Sequence, residues 1–563
     1  MKFAAFTLAL AGIFAGNALG QTPTVGGLLN NYSYTLPGLP NYGIAQGSIF
    51  VIYGTNFSAT QIGLQAPPLQ TKLNGVTIAV TVNGTTTNPL FYYLYPTQIA
   101  AVLPSATPVG TGTITVTTSA GTSTAFPIQV VASAFGLLTS NNGSGPAQGY
   151  DANIDPNNQY TLFGFSAAAN PGDILLLWGS GLGPVANDAT GVAVSGTVTV
   201  YIGGIAVTPL YAGRSGFTGL DQINVKVPSG LTGCYVSVVV QTGNIVSNFA
   251  TLPVAASGRT CTDADSPLTA SVLDQLTQTG SLNMGLISVN QVTTPGITVE
   301  GVTAGGGTTD VGVASFEKIT SAQIGAGAFA AVLGGYSSIG SCFVDFFNTT
   351  STSSTSLPLA FQFTSLNAGP DVNIVGPDGT LAMPLETLSG IDTYTTPAGT
   401  AAFIPSSGGT FTFNNGSSGG PDIGAFTTPQ IQVAAPVTWS SATTSISTVT
   451  RSNGLTVSWT GGAAGTHVDI TGISLEAVNG SATNYLAGFF SCRAATEAGT
   501  FTVPPAVLLS LPPSTTIMED GVTISTSILL LSNFAAPVSF TAPKLDVGLV
   551  EAGVEDILFV AYQ

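Results

Sequence analysis

The only histidine in 563 residues is His467, in the run Thr466-His467-Val468-Asp469-Ile470. A Ser-His-Asp triad would have to use it. Its setting reads as a strand with His467 and Val468 on opposite faces. Gly143-Ser144-Gly145 reads as a flexible turn, and no Gly-x-Ser-x-Gly stands at a strand-to-helix elbow. One histidine also excludes the His-Glu-x-x-His zinc site within one chain. Paired carboxylates for glycoside hydrolysis remain open: Glu317, Glu386, Glu476 and Glu497 are isolated in sequence, which does not preclude proximity in space. Asp151-Ala152-Asn153-Ile154-Asp155-Pro156-Asn157 places oxygen ligands at alternate positions, as an EF-hand loop does. Pro156 stands where that loop needs glycine, and Leu162 where it needs a bidentate glutamate, so the run reads as a solvated polar loop.

The four cysteines, Cys234, Cys261, Cys342 and Cys492, lack Cys-x-x-Cys spacing and neighbouring histidines, which argues against zinc. They read as structural disulfides. Three pairings are possible; Cys234–Cys261 with Cys342–Cys492 keeps each bridge within a domain or between a domain and its adjacent linker. Phe91-Tyr92-Tyr93-Leu94-Tyr95 is the densest aromatic cluster, and strand alternation would put Phe91, Tyr93 and Tyr95 on one side. Those three are candidates for stacking against a sugar ring, with core packing or an interdomain contact as the competing reading. Trp178, Trp439 and Trp459 read as core. No catalytic residue, cofactor or metal site is expected.

Charge is scarce: 26 acidic and 9 basic residues make 6% of the chain and a net charge of −17. A typical soluble domain has roughly a quarter. Nine cations cannot build a large phosphate-binding or polybasic membrane face. At 44% hydrophobic content the chain can bury a core.

What must position these residues is a set of strands. Residues 1–20 read as a secretory signal: Met1-Lys2, an apolar run from Phe3 to Ala15, and Ala18-Leu19-Gly20 before the cut. No later stretch stays apolar for the ~18 residues a membrane span needs. Val76-Thr77-Ile78-Ala79-Val80-Thr81-Val82 alternates with period two and ends at Asn83-Gly84; Thr197 to Ile202 does so and ends at Gly203-Gly204. An ordered repeat appears at offsets of about 120–125 residues. Ala45 to Gly54 matches Asn170 to Gly179, Asn88-Pro89-Leu90-Phe91-Tyr92 matches Thr208-Pro209-Leu210-Tyr211, and Gln98 to Pro104 matches Gln222 to Pro228.

The repeated pattern is Gly-Ser/Asp, a hydrophobic strand, Tyr/Trp-Gly, a hairpin, Pro-Leu-Phe/Tyr, then Gln-Ile-x-x-x-Val/Leu-Pro. It resembles IPT/TIG-type immunoglobulin-like domains. It is still more similar to the uncharacterised Solibacter-type C-terminal domain family of secreted acidobacterial proteins, most closely over Pro171 to Pro253. The first copy departs from it with Gly54-Thr55-Asn56-Phe57 where the second has Gly179-Ser180-Gly181-Leu182-Gly183-Pro184. The resemblance implies a fold and an exported setting over about residues 32–255, and no activity.

The expected architecture is all-β with few short helices. It comprises a signal peptide (1–20), an N-terminal segment (21–31), sandwiches at 32–133 and 134–255, a linker with a short helix (256–284) and a larger β-rich domain (285–563). That last domain is expected to hold two sub-sheets tied by Cys342–Cys492. Helices are expected from Ser266 and over Ser321 to Leu333. The expected function is that of a secreted or cell-surface, non-catalytic structural or adhesive protein. The two sandwiches would form a semi-rigid rod, and the partner would be an extracellular protein or polysaccharide surface. The alternatives are a carbohydrate-binding module protein and a glycoside hydrolase housed in 285–563.

Overall fold

The computed structural model describes residues 21–563 apart from 142, 154–162, 264–280, 296, 300–301, 305, 321–336, 349–363, 389–390, 434, 441–446, 482–483, 520–521 and 526. The signal segment and both expected helices lie outside the described residues, as does the second half of the Asp151–Asn157 run. The described residues are almost all strand or turn.

The first sandwich packs two sheets face to face. One has the order β1-β3-β6-β5, from Thr24–Asn30 (β1), Ile49–Thr55 (β3), Gln98–Val102 (β6) and Leu90–Leu94 (β5). The other includes β2-β8-β7-β4, from Ile44–Ala45 (β2), Phe126–Val131 (β8), Gly110–Thr118 (β7) and Val76–Val82 (β4). In β4 the valines and Ile78 point inward at 0–3% exposure, and the threonines point out. Asn83 and Gly84 both take positive φ, 51° and 77°, as the two-residue turn that follows β4 requires. The segment 21–31, set apart in sequence, supplies edge strand β1.

The second sandwich repeats this plan. Gly136–Leu137 (β9), Ile174–Ser180 (β12), Asp221–Lys226 (β15) and Tyr211–Arg214 (β14) form one sheet, with Gly149–Asp151 (β11) also on β12. Ser144–Ala147 (β10), Ala250–Val254 (β17), Gly233–Thr242 (β16) and Val198–Ile202 (β13) belong to the other. Register repeats too. Tyr53 lies opposite Gln98 in the first copy, and Trp178 opposite Gln222 in the second. The chain therefore contains tandem immunoglobulin-like β-sandwiches.

The third region is one long sheet in the order β20-β28-β27-β30-β32-β18-β19-β23-β22-β21-β24. Its strands are Cys342–Asn348 (β20), Tyr485–Ala495 (β28), His467–Ala477 (β27), Ile528–Phe534 (β30), Leu545–Tyr562 (β32, with Val538–Ala542, β31, paired alongside it) and Ser281–Thr294 (β18). They continue with Gly307–Thr320 (β19), Ile391–Thr395 (β23), Gly379–Leu388 (β22), Asp371–Gly376 (β21) and Thr410–Asn414 (β24). β18 starts at Ser281, inside the segment expected to be linker. A small sheet of Val437–Trp439 (β25), Leu455–Gly461 (β26) and Thr500–Val503 (β29) covers part of it, with helix α1 (Pro505–Ser510). Cys342 lies directly opposite Cys492 on adjacent strands β20 and β28. Their disulfide therefore clamps neighbours within one sheet; it does not tie two sub-sheets.

Two hydrophobic cores share one face of this sheet. Val550 and Ala552 of β32 enter one with Ile287 and Phe316; Val560 and Tyr562 enter the other with Ile470 and Phe490. The second core also takes Val239, Val246 and Phe249 from the second sandwich. The first sandwich reaches the third region through Leu36 and Leu39 against Leu486. The sandwiches are thus packed onto the third region and do not extend from it as a rod.

Candidate functional site

The aromatic cluster sits on the outward face of the β1-β3-β6-β5 sheet, and a β-bulge rearranges it. Phe91 pairs with Ala101 and Tyr93 with Ala100, leaving Tyr92 as the extra residue. Phe91 consequently turns into the core at 0% exposure, away from Tyr93. The expectation that Phe91, Tyr93 and Tyr95 share one side fails at this bulge. Tyr93 and Tyr95 do stack, with centroids 4.6 Å apart and rings at 27°. Both are half-buried. Gln98 donates to the Tyr93 hydroxyl at 2.6 Å, and Tyr53 stands opposite Gln98. Burial, with the Tyr34 hydroxyl nearby, pushes Tyr53 up to about 12 and Tyr93 higher still, so these phenols stay protonated donors. The patch that results is Tyr34, Tyr53, Tyr93 and Tyr95. Tyr53 was legible in the repeat, where it occupies the position of Trp178.

The other end of that face is the seam between the sandwiches. A Cβ on Gly219 would stand 2.7 Å from Ile49 and 2.8 Å from Val102, and Gly219 has φ +81°. Ser180 Oγ accepts from Ile49 N at 2.8 Å and donates to Gly219 O at 2.6 Å. Asn30 Nδ2 donates across the seam to Ala134 O at 2.9 Å. Beside this contact, Arg214 pairs with Asp221, both at 0% exposure. Arg214 also meets Asp188 at 3.2 Å. Asp188 accepts from Ser105 of the first sandwich, from N at 2.9 Å and Oγ at 2.6 Å. The second Asp221 oxygen accepts from Gly181 N and Leu182 N at 2.8 and 2.9 Å. Sequence reasoning missed this network; its signal was an arginine and an aspartate in strands of a chain with very few charged residues.

Several of the other acids are also engaged. Arg259 bridges Asp151 at 2.9 Å and Asp173 at 2.5 Å, so the first acid of the EF-hand-like run has an arginine partner. Arg493 takes both oxygens of Asp469, at 2.9 and 2.8 Å. His467 lies 3.7 Å from Asp469, is 1% exposed and is pushed down to about 4 by burial and by Arg493. It is neutral at physiological pH. Glu551 and Glu555 of β32 are both pushed up to about 7 by burial. Glu555 accepts from Asn290 Nδ2 at 2.8 Å. Of the isolated glutamates, Glu317 is buried, Glu476 half-buried, and Glu386 and Glu497 exposed. Three concavities among the described residues each hold a single carboxylate: Asp345 where all three parts meet, Asp556 beside Trp439, and Asp378 beside Phe403.

The cysteines form Cys234–Cys261 and Cys342–Cys492. Disulfides of this kind persist in an oxidising, extracellular setting. Trp439 and Trp459 are core residues, 8% and 2% exposed. Trp178 is not: Leu175 and Leu177 point inward at 0%, so alternation turns Trp178 to the outer face, half-exposed. No helix among the described residues is long and apolar enough to cross a membrane.

No protein-family model matches the chain, and no curated protein matches it in sequence. Solved structures align only loosely. The plexin A4 extracellular region is 16% identical over 43% of this chain and 19% of that one, at a TM-score of 0.16. A longer version of that region is covered to 30%, so the chain spans under a third of either. Sidekick-1 immunoglobulin domains 1–5 are 11% identical over 96% of this chain and 100% of that one, at 0.12. The Bacteroides ovatus SGBP-B of a mixed-linkage glucan utilization locus is 10% identical over 86% and 98%, also at 0.12. Scores this low reflect strands in common without a common arrangement; the fold rests on the strands described above.

Proposed function

We propose that the chain is an exported, non-catalytic structural or adhesive protein that works by surface contact. One observation carries the reading: arginine is used inside the fold, not at an open site. Arg214 and Arg493 each hold a carboxylate on the neighbouring strand, and Arg259, beyond the last strand of the second sandwich, holds two of that sandwich's acids. A body held this way offers fixed outer surfaces. In finer terms, the sandwiches are read as IPT/TIG-type domains similar to the Solibacter-type C-terminal family, delivered through a signal peptide at 1–20.

A second reading, polysaccharide binding, is favoured by the half-exposed Tyr93–Tyr95 stack. The hydrolase reading finds less support, since each concavity named above supplies one carboxylate where the chemistry needs two. The test applies residues 21–563 to immobilised extracellular-matrix proteins and polysaccharides, alongside chromogenic glycoside and ester substrates. Retention without turnover is expected. Turnover of any substrate would overturn the non-catalytic reading, and retention on no surface would overturn the contact reading.

A further inference from the structure

The two sandwiches carry the same sheet face in two different environments. In the first, Ile49, Val51, Ala100 and Val102 are 0–1% exposed, covered in part by Gly219 of the second sandwich. The matching residues of the second are Ile174, Leu176, Asn224 and Lys226, all half-exposed or exposed. An alanine and a valine at a covered interface have become an amide and an ammonium on an open face. A face meant for another apolar protein surface would have kept the aliphatic pair.

On this open face Tyr150, Leu176, Asn224 and Tyr211 form one lateral row across four strands, in register. Trp178 and Gln222 are paired in the next row, and Tyr150 meets Trp178 edge-on at 6.3 Å. Gln222 Nε2 donates to Asn224 Oδ1 at 2.7 Å, which fixes the two amides relative to each other and does not use the Gln222 carbonyl or the Asn224 NH2. The row spans about 14 Å, from strand spacing.

We propose that this face of the second sandwich binds a neutral polysaccharide chain. It deepens the surface-contact reading and rests on it. Pyranose rings have apolar faces and a rim of hydroxyls. Indole and phenol rings meet the first, and a braced amide pair meets the second. The six side chains of the two rows carry no formal charge, which favours a neutral over an ionic polymer; the ammonium of Lys226 lies in the row beyond, opposite Ile174. The length of the row suits several linked sugars and not one.

The test uses residues 21–563 in affinity electrophoresis through gels containing neutral β-glucan, mannan or xylan, with tryptophan fluorescence as a second readout. Trp178→Ala should lose at least about tenfold in affinity, and Gln222→Ala several-fold. Val109→Ala, at an exposed position of the other sandwich away from its tyrosines, should bind as the parent does. Near-UV circular dichroism confirms that each variant is folded, and Gln222→Ala serves if Trp178→Ala is not. Unchanged retardation in both face variants would overturn this site while leaving polymer contact intact. Retardation by none of the gels would overturn the polysaccharide assignment, even if the chain binds matrix proteins.

Discussion

Arg214 and Asp221 lie directly opposite each other on β14 and β15, both sealed from solvent beside the seam between the sandwiches. Asp188 relays the same arginine to Ser105 of the neighbouring sandwich. The pair is therefore linked to the neighbouring domain as well as filling a buried site.

Arg214→Met should destabilise the protein by about 3–5 kcal/mol, because it leaves buried Asp221 without its cationic partner. The double variant Arg214→Met/Asp221→Leu should recover part of that loss. Urea unfolding measures both. A single variant as stable as the parent would show that the pair does not hold the seam.

Stability should depend on pH through Glu551. Burial raises its carboxyl from 4.5 to about 7, so the folded chain holds that proton more tightly than the unfolded one. Its stabilising contribution is complete below about pH 4.5 and is lost as pH rises toward about 7. Glu551→Gln should flatten that part of the stability–pH curve. His467, pushed down to about 4, acts in the opposite sense and is common to both proteins, so it cancels in the comparison. Unfolding midpoints at several pH values decide the matter; parallel curves would refute the assignment.

Phe91→Ala should cost about 3–5 kcal/mol, as for a large core side chain. Tyr95→Ala, on the outer face, should cost less than about 1 kcal/mol. Similar losses in thermal denaturation would mean the bulge does not separate the two rings.

The two disulfides should differ in weight. Cys342–Cys492 spans 150 residues and Cys234–Cys261 spans 27. Chain-entropy reasoning gives about 5 and about 3.5 kcal/mol. Removing the longer bridge by paired Cys→Ala changes should lower the unfolding free energy more. The reverse order would contradict that account.

Much of the fold was legible in local pattern. The alternation of Val76–Val82 and the turn at Asn83-Gly84 mark a hairpin. The ordered repeat anticipated a second sandwich whose register the structure reproduces, down to Tyr53–Gln98 and Trp178–Gln222. The candidate site was less legible for a specific reason. Alternation assumes an unbroken strand, and one extra residue at Tyr92 sends Phe91 and Tyr93 to opposite faces. Nor could spacing show that Cys342 and Cys492 are cross-strand neighbours, or that Arg214 answers to Asp221. Those are pairings between strands, whereas periodicity reports on one strand at a time.

Strand β32 carries a consequence for the order of assembly. It runs beneath both cores of the third region, and its parallel partner β18 lies far upstream, with Asn290 and Glu555 separated by 265 residues. During synthesis β18 must wait, one edge unpaired, while the intervening chain is made. The sandwiches can close early on nearby contacts, but the long sheet is a late event with high contact order. Premature pairing along that waiting edge is the hazard this topology creates, and a holding factor or an early partner for β18 would shorten the exposure.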